Sequence, residues 1–381
     1  MIVPTFKYAA VFGQGNILRT REIVMSNRDP EKLSKIPPSF IVMDLTWRCN
    51  YHCPGCVDQN VVNKDSINLK VEIIEDIFYY SKKHGVRGIM TMGGEVFLYK
   101  EGIETALEKS IEYKIPLKTV SNGSCLKSYI PLILEAYKIP GSMLRISINS
   151  DKEHYKEQTK GNVNLEEILK SIKTITSQGT SVYVSTVVYP ESSKKDEMIP
   201  NVSMLPEIIE YCEEAGVKTQ ILLPARDPLT RKRYPRTDEE GRIMHDIITK
   251  KNEGGYSLEL GIDDFSERKF PCAQNLSFNP CCPSGFLFTL IGSNGLVYKC
   301  TDNRGKDTMV MGRIEKPGDF EKFWHSQDRV NKQICTHCPN QGCGRYETNA
   351  LLDTCITAKY DYDIDLTEYL ELSSFEDTIF V

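Results

Sequence analysis

The sequence predicts an α/β fold built on a parallel sheet, and three observations carry that expectation. Between residues 39 and 223, short apolar runs alternate with helical periodicity to give six strands. Several of those strands end in glycine or polar residues, as the rim of a parallel sheet does. The length, 381 residues, accommodates one large α/β domain and a smaller module. The connections in such an alternation are right-handed crossovers, and the sheet they build either closes or stays open.

The first 38 residues carry no assignable pattern and end at Ile36-Pro37-Pro38, a break before the first strand, Ser39 to Leu45. Leu69 to His84 places Val71, Ile74, Ile77 and Phe78 at helical spacing, and Gly85 stops it. Val86 to Met92 reads as a short buried strand. Helices at Gly102 to Tyr113, Tyr129 to Tyr137, Leu165 to Ser177 and Leu205 to Ala215 each precede a strand. Those strands are Leu117 to Ser121, Met143 to Ile148, Val182 to Val188 and Lys218 to Leu223. The rhythm breaks after Arg226, in a linker from Pro224 to Glu240 that leads to a helix around Glu239 to Lys250. A hairpin, Phe286 to Ile291 and Leu296 to Tyr298, turns at Gly292-Ser293-Asn294-Gly295, and a helical stretch runs from Asp319 to Arg329.

Composition narrows the setting. With 40% hydrophobic and 26% charged residues the chain has an ordinary soluble profile, and its apolar runs fall short of the roughly 18 residues that span a membrane. Met1 to Pro30 lacks an apolar core with a small-residue cleavage site, so the protein is expected in the cytoplasm. A net charge of −5 offers no basic footprint for nucleic acid. Neither a membrane nor a nucleic-acid partner is expected. The abnormal entry is cysteine: of 13, three lie in one early loop, eight fall between Cys272 and Cys355, and Cys125 and Cys212 are isolated. In a reducing compartment such clusters read as metal ligands rather than disulfides.

The early loop, Asp44-Leu-Thr-Trp-Arg-Cys-Asn-Tyr-His-Cys-Pro-Gly-Cys56, presents Cys49, Cys53 and Cys56 in a C-x3-C-x2-C run directly after a strand. Three thiolates can hold three irons of a cubane but cannot complete a [4Fe–4S] cluster, which takes four ligands. The fourth iron would then be open to a small molecule. Zinc is the competing occupant, but a structural zinc site wants four closed ligands, and His52 lies too close between the thiols to supply a comfortable fourth.

Other strand ends supply the remaining rim. Gly93-Gly94-Glu95-Val96 offers two glycines that let backbone approach a ligand, and a carboxylate. Ser121-Asn122-Gly123 ends the next strand but one, counting from the cysteine loop, and Ser147 and Asn149 alternate with apolar residues so that they share a face. Leu223 ends the sixth strand.

The C-x3-C-x2-C loop resembles the cluster loop of the radical S-adenosylmethionine (radical SAM) superfamily, and Gly93-Gly94-Glu95 stands where that family carries Gly-Gly-Glu-Pro. The resemblance implies a partial, open (β/α)6 parallel barrel with its site at the carboxyl ends of the strands. It implies a [4Fe–4S] cluster on Cys49, Cys53 and Cys56 whose open iron is chelated by the methionyl amine and carboxylate of S-adenosyl-L-methionine. Gly93, Gly94 and Glu95 would bind the amine, and Val96 in place of proline would loosen the loop. Ser121 and Asn122 correspond to the family's Ser/Thr-Asn-Gly strand end. Ser147 and Asn149 would meet the ribose or carboxylate, and the Leu223 backbone the adenine. One departure is Gly55, where the family has an aromatic; adenine packing is expected from Tyr51 or Trp47 instead.

The second cysteine bank comprises Cys272, Cys281, Cys282, Cys300, Cys335, Cys338, Cys343 and Cys355. Cys282-x12-Gly295-x4-Cys300 followed by Cys335-x2-Cys338 is similar to the auxiliary-cluster region of the SPASM and Twitch subfamilies. This gives three expected modules: 1–38 as an extension, 39–235 as the barrel, and 236–381 as a linker helix with a cysteine-rich α+β module. One auxiliary cluster would use Cys282, Cys300, Cys335 and Cys338. Two would use Cys335, Cys338, Cys343 and Cys355 for one, and Cys272, Cys281 or Cys282, and Cys300 for the other. Two is the favoured count because surplus thiols are costly to leave free. The full SPASM spacing expects a cysteine at Glu347.

By this resemblance, an electron from a reducing partner such as flavodoxin or ferredoxin cleaves the bound cofactor to a 5′-deoxyadenosyl radical, which removes hydrogen from an unactivated C–H bond. An auxiliary cluster that accepts the remaining electron makes net oxidation natural, with Asp302 and Arg304, just beyond Cys300, as candidates for the base beside the substrate. The expected substrate is a small polar molecule such as a sugar or aminocyclitol. The alternative is modification of a peptide or protein: crosslinking, epimerisation or sulfatase-maturase-like oxidation. A non-enzymatic electron carrier or sensor would leave the Gly93-Gly94-Glu95 loop without a purpose.

Overall fold

The computed structural model describes residues 19, 21–27, 29–225, 234–262, 283–301, 304–335 and 359–360. In chain order the main elements begin with α1 (Pro30–Lys35), β1 (Phe40–Thr46), α2 (Val71–His84), β2 (Gly88–Gly93), α3 (Lys100–Tyr113), β3 (Leu117–Ser121), α4 (Ile130–Ala136) and β4 (Met143–Ser147). They continue with α5 (Tyr155–Thr159), α6 (Leu165–Thr176), β5 (Val182–Val188), α7 (Leu205–Glu214), β6 (Thr219–Pro224), α8 (Asp238–Asn252) and β7 (Glu259–Ile262). The last are β8 (Phe288–Ile291), β9 (Leu296–Tyr298), β10 (Val310–Arg313), α9 (Asp319–Trp324) and α10 (Gln327–Cys335).

The chain divides into two compact units, and β1 and β2 each run from one into the other. The larger unit holds Asp44–Leu69 and Met90–Arg268. In it, β1 to β7 lie in sequence order, and from β3 to β7 each strand pairs parallel with the next. On β4, Leu144 and Ile146 are buried while Arg145 and Ser147 between them are half-buried, the alternation of a sheet covered on one face. The covering helices bring Ile103, Ala106 and Leu107 from α3, Ile168, Ile172 and Ile175 from α6, and Ile208, Ile209 and Cys212 from α7, all buried. Cys212 is thus a core thiol, and burial pushes its pKa well up.

The six strands that alternation predicts are all present, each within two residues of expectation. The parallel sheet ends at a seventh, β7, which the sequence does not announce. Its four residues include a glycine, and it adds to β6 through Thr219 opposite Glu259 and Ile221 opposite Gly261. The sheet of this unit is open, as a partial barrel requires.

The smaller unit holds Met1–Met43, Lys70–Ile89 and Lys269–Val381. Here β8 lies parallel to β1, with Phe40 opposite Phe288, and β9 and β10 follow antiparallel. The hairpin turn at Gly292–Gly295 needs its last glycine: φ is 75°, and a Cβ there would strike the Ile314 carbonyl. The expected single helix from Asp319 to Arg329 is two. It breaks at His325 and Ser326, where the Ser326 hydroxyl accepts from the Arg329 amide at 3.1 Å and starts α10 as an N-cap does. Trp324 is buried and donates to the Ile36 carbonyl at 2.9 Å, which fixes α9 beneath the segment preceding β1. Among the described residues, no helix is long and apolar enough to cross a membrane.

Candidate functional site

In the larger unit, the carboxyl ends of β1, β2 and β3 deliver one constellation. The loop leaving β1 carries Cys49, Cys53 and Cys56, each half-buried. Asn63 organises it: its Oδ1 accepts from the Cys49 amide at 2.7 Å, its Nδ2 donates to the Tyr51 carbonyl at 3.1 Å, and its own amide donates to the Trp47 carbonyl at 2.8 Å. Asn63 holds a φ of 59°, a left-handed conformation that asparagine tolerates. On the other flank the His52 amide donates to the Thr159 carbonyl at 2.9 Å. Tyr51 packs edge-on to Tyr155, and its ring occupies the space a side chain at Gly161 would need.

Gly93 and Gly94, at the end of β2, bring the backbone against this loop. The Gly94 amide donates to the Thr46 carbonyl at 2.7 Å and the Glu95 amide to the Arg48 carbonyl at 2.8 Å. A Cβ on Gly93 would collide with the Thr46 carbonyl, and one on Gly94 with that of Arg48. In the structure the close approach that the glycines permit is that of two backbones pairing at short range. Valine in place of proline does not leave the loop loose. Val96 is buried and opens a 3-10 turn, Val96–Leu98, which the Glu95 carboxylate caps by accepting from the Phe97 amide at 3.1 Å.

Glu95 itself is fully buried. Its carboxylate accepts the Ser121 hydroxyl at 2.8 and 3.0 Å and the Asn122 amide at 2.7 Å. Burial pushes its pKa up to about 7, against the pull of these donors. Asn122 also donates from Nδ2 to Asn50 Oδ1 at 2.9 Å, with Cys49 Sγ 3.8 Å away, and Asn50 donates to the Ser124 hydroxyl at 2.9 Å. Ser121 and Asn122 thus tie the carboxylate and the cysteine loop to β3.

At the next two strands, the Ser147 and Ser185 hydroxyls lie 3.4 Å apart, and Asn149 Oδ1 accepts from the Val187 amide at 2.8 Å. Leu223 stands opposite Val187 at the end of β6. Sequence reasoning missed Arg145, which shares a face of β4 with Ser147 and stands beside Tyr183 of β5. Its Nε is buried without a hydrogen-bond partner, and burial lowers its pKa to about 10. The signal was an arginine at an alternating position of an otherwise apolar strand. Trp47 and Tyr51, expected to pack adenine, are both buried within the loop's own foundations, Trp47 donating to Asp44 at 3.1 Å, so neither offers a free ring. The aromatic that meets Gly55 is Tyr189, just beyond β5.

Among the described residues, no three His, Cys, Asp or Glu side chains converge on a single metal ion. A cubane does not ask that of them, since each thiolate takes a different iron. Cys53 lies close enough to Cys49 and Cys56 for their charges to couple, and burial pushes its pKa up to about 12. A loop so desolvated leaves thiolate charge to be offset by metal.

In the smaller unit, Cys300 is half-buried, and Arg304 is buried at 3% exposure rather than solvated. Cys335 closes α10. Cys272, Cys281, Cys282, Asp302, Cys338, Cys343 and Cys355 lie outside the described residues.

Fold and site together define a parallel α/β protein with a three-thiol, one-carboxylate centre at its strand ends. Residues 43–202 match the model of the Radical SAM superfamily. The chain is similar to a probable GTP 3′,8-cyclase of Methanococcus maripaludis, 25% identical over 55% of this chain and 68% of the relative. A probable GTP 3′,8-cyclase of Methanocaldococcus jannaschii is 24% identical over 49% of this chain and 60% of its own. Among solved structures, Streptococcus suis SuiB bound to S-adenosylmethionine superposes with a TM-score of 0.60 at 17% identity, covering 84% of this chain and 72% of SuiB. The enzyme anSMEcpe with bound AdoMet gives 0.55 at 14% identity, covering 86% and 99%. These two show likeness of fold.

Proposed function

We propose that the protein is a radical SAM enzyme that removes hydrogen from an unactivated C–H bond of a small polar substrate, with net oxidation as the outcome. The observation that carries the reading is that Asn122, whose amide donates to the fully buried Glu95, also reaches Cys49 and Asn50 of the loop that bears Cys49, Cys53 and Cys56. In this reading the three cysteines hold a [4Fe–4S] cluster and Glu95 faces the methionyl amine of S-adenosyl-L-methionine. Arg145 supplies an unpaired cation for the methionyl carboxylate on the face it shares with Ser147. When bound, the reduced cluster and cofactor together supply a 5′-deoxyadenosyl radical. The electron comes from a partner such as flavodoxin or ferredoxin.

The chain's own residues orient and exclude water. Asn63 and the Gly93-Gly94 pairing fix the loop, Ser121 and Asn122 hold the carboxylate, and the polar row Arg145, Ser147 and Tyr183 offers hydrogen bonds to a hydroxyl- or amine-bearing substrate. Cys300 and the other late cysteines would hold auxiliary clusters. A guanidinium has no acceptor and does not titrate, so of the proposed pair the base role falls to Asp302, with Arg304 as an anchor. The second reading is modification of a peptide; the similar fold of SuiB has been solved with the precursor peptide SuiA, and that of anSMEcpe with a peptide.

Anaerobically reconstituted protein, reduced with dithionite and given S-adenosylmethionine, is expected to release 5′-deoxyadenosine, and the Cys49→Ala/Cys53→Ala/Cys56→Ala variant none. Release at the same rate from the variant, or none from either protein with sugar, aminocyclitol or peptide panels present, would falsify the enzyme reading. Substrate-dependent release with peptides alone would select the second.

A further inference from the structure

We infer that Tyr189 and Gly55 are a matched pair, in which a ring delivered from the end of β5 sets the position of the cysteine loop between Cys53 and Cys56. A Cβ added at Gly55 would lie 2.5 Å from the Tyr189 hydroxyl, 2.7 Å from Cε1 and 2.9 Å from Cζ. The glycine is not there for backbone freedom, because its φ is not left-handed; it is there because the ring already fills the volume of its side chain. Gly55 lies between Cys53 and Cys56, so the ring that fills its side-chain volume stands against the ligand-bearing turn.

The ring is held as a rigid post. The Tyr189 amide donates to Asn201 Oδ1 at 2.7 Å and its carbonyl accepts from the Asn201 amide at 2.9 Å. Asn201 in turn donates to the carbonyls of Asn149 and Val187 at 2.7 and 2.8 Å, so the ends of β4 and β5 are locked to it. Met198, Ala225 and Tyr234 pack around the ring, which is 4% exposed. The turn closes on its own hydrogen bond, from the Cys56 amide to the Cys53 carbonyl at 3.1 Å, and the ring sets where that turn sits. Tyr189 is a positioning residue: it acts through the thiols, not on substrate.

The inference rests on the reading that this loop holds a cluster with an open iron. The test compares wild type, Tyr189→Ala, Gly55→Tyr and the double variant Tyr189→Gly/Gly55→Tyr, each reconstituted anaerobically. The readout is the electron paramagnetic resonance signal of the reduced cluster and the change that S-adenosylmethionine makes in it, counted as the part of that change absent from the Cys49→Ala/Cys53→Ala/Cys56→Ala variant. If wild type shows no such change, the cluster reading fails and the pair is not what failed. Given the wild-type change, both single variants should lose it about tenfold in intensity, the scale of overpacking or of a cavity. The double variant, which returns an aromatic ring to the same volume, should recover most of it. Circular dichroism melts accompany each sample, so that a single variant that melts like wild type yet loses the signal supports the pair. Retention of the signal in both single variants, or no recovery in a double variant that is folded, overturns it.

Discussion

Glu95 concentrates the chemistry of the site in one side chain. A carboxylate in a low-dielectric interior is disfavoured as a charge, and three donors, the Ser121 hydroxyl and the Asn122 and Phe97 amides, reduce that cost without removing it, leaving its pKa near 7. Because the folded pKa lies above the ordinary value of 4.5, the protonated form favours the fold. The contribution is complete below pH 4.5 and is lost as pH rises through about 7. In cluster-free, cofactor-free protein, the stability of wild type relative to Glu95→Gln should therefore fall across that window, by on the order of 3 kcal/mol. Urea titrations at half-unit pH steps measure it; a difference that stays flat would mean the carboxylate is stabilised as an anion. A cationic amine beside the carboxylate would relieve the cost, which is why such a residue suits a ligand's ammonium group. Glu95 itself was legible in the sequence because it follows two glycines at a strand end. The partnership with Ser121 and Asn122 was not, since it depends on where the end of β3 falls beside that of β2.

At the scale of elements, the strands were legible where both faces or one face are buried, since apolar alternation records burial. What the pattern does not record is how strand ends are joined. Asn201, at the entry to the short turn Val202–Met204 that leads into α7, reads in sequence as a loop asparagine, yet it is fully buried and clamps β4 to β5. Asn63 likewise reads as a turn residue and proves to be the keystone of the cysteine loop. Asn201→Ala would strand the Asn149 and Val187 carbonyls and the Tyr189 amide in the interior. The expected cost is about 2–4 kcal/mol, since each unsatisfied buried group costs about 1–3 kcal/mol and some regain water. Asn201→Asp should cost at least as much, because a carboxylate cannot donate to the two carbonyls. Chemical denaturation of the two variants measures both, and a loss under half a kilocalorie in either would show that the strand ends are held by packing alone. The edge strand β7 escaped notice for a different reason: four residues with a glycine carry too little alternation to distinguish them from a loop.

For the whole molecule, the division of cysteines into an early and a late bank was legible, and the two banks fall in different compact units: Cys49, Cys53 and Cys56 in the larger, Cys300 and Cys335 in the smaller. Their number fixes a stoichiometry that can be counted. If the late bank holds two auxiliary cubanes, fully reconstituted protein carries about twelve irons and as many acid-labile sulfides; one auxiliary cubane gives about eight. The variant lacking Cys49, Cys53 and Cys56 should contain about four fewer in either case, which separates loss of the site cluster from general failure to load. About twelve falling to about eight is the expected result. About eight falling to about four would establish a single auxiliary cluster, and would leave at least four late thiols for roles other than cubane ligation. A total unchanged by the variant would place every iron in the late bank and remove the early loop from the chemistry altogether.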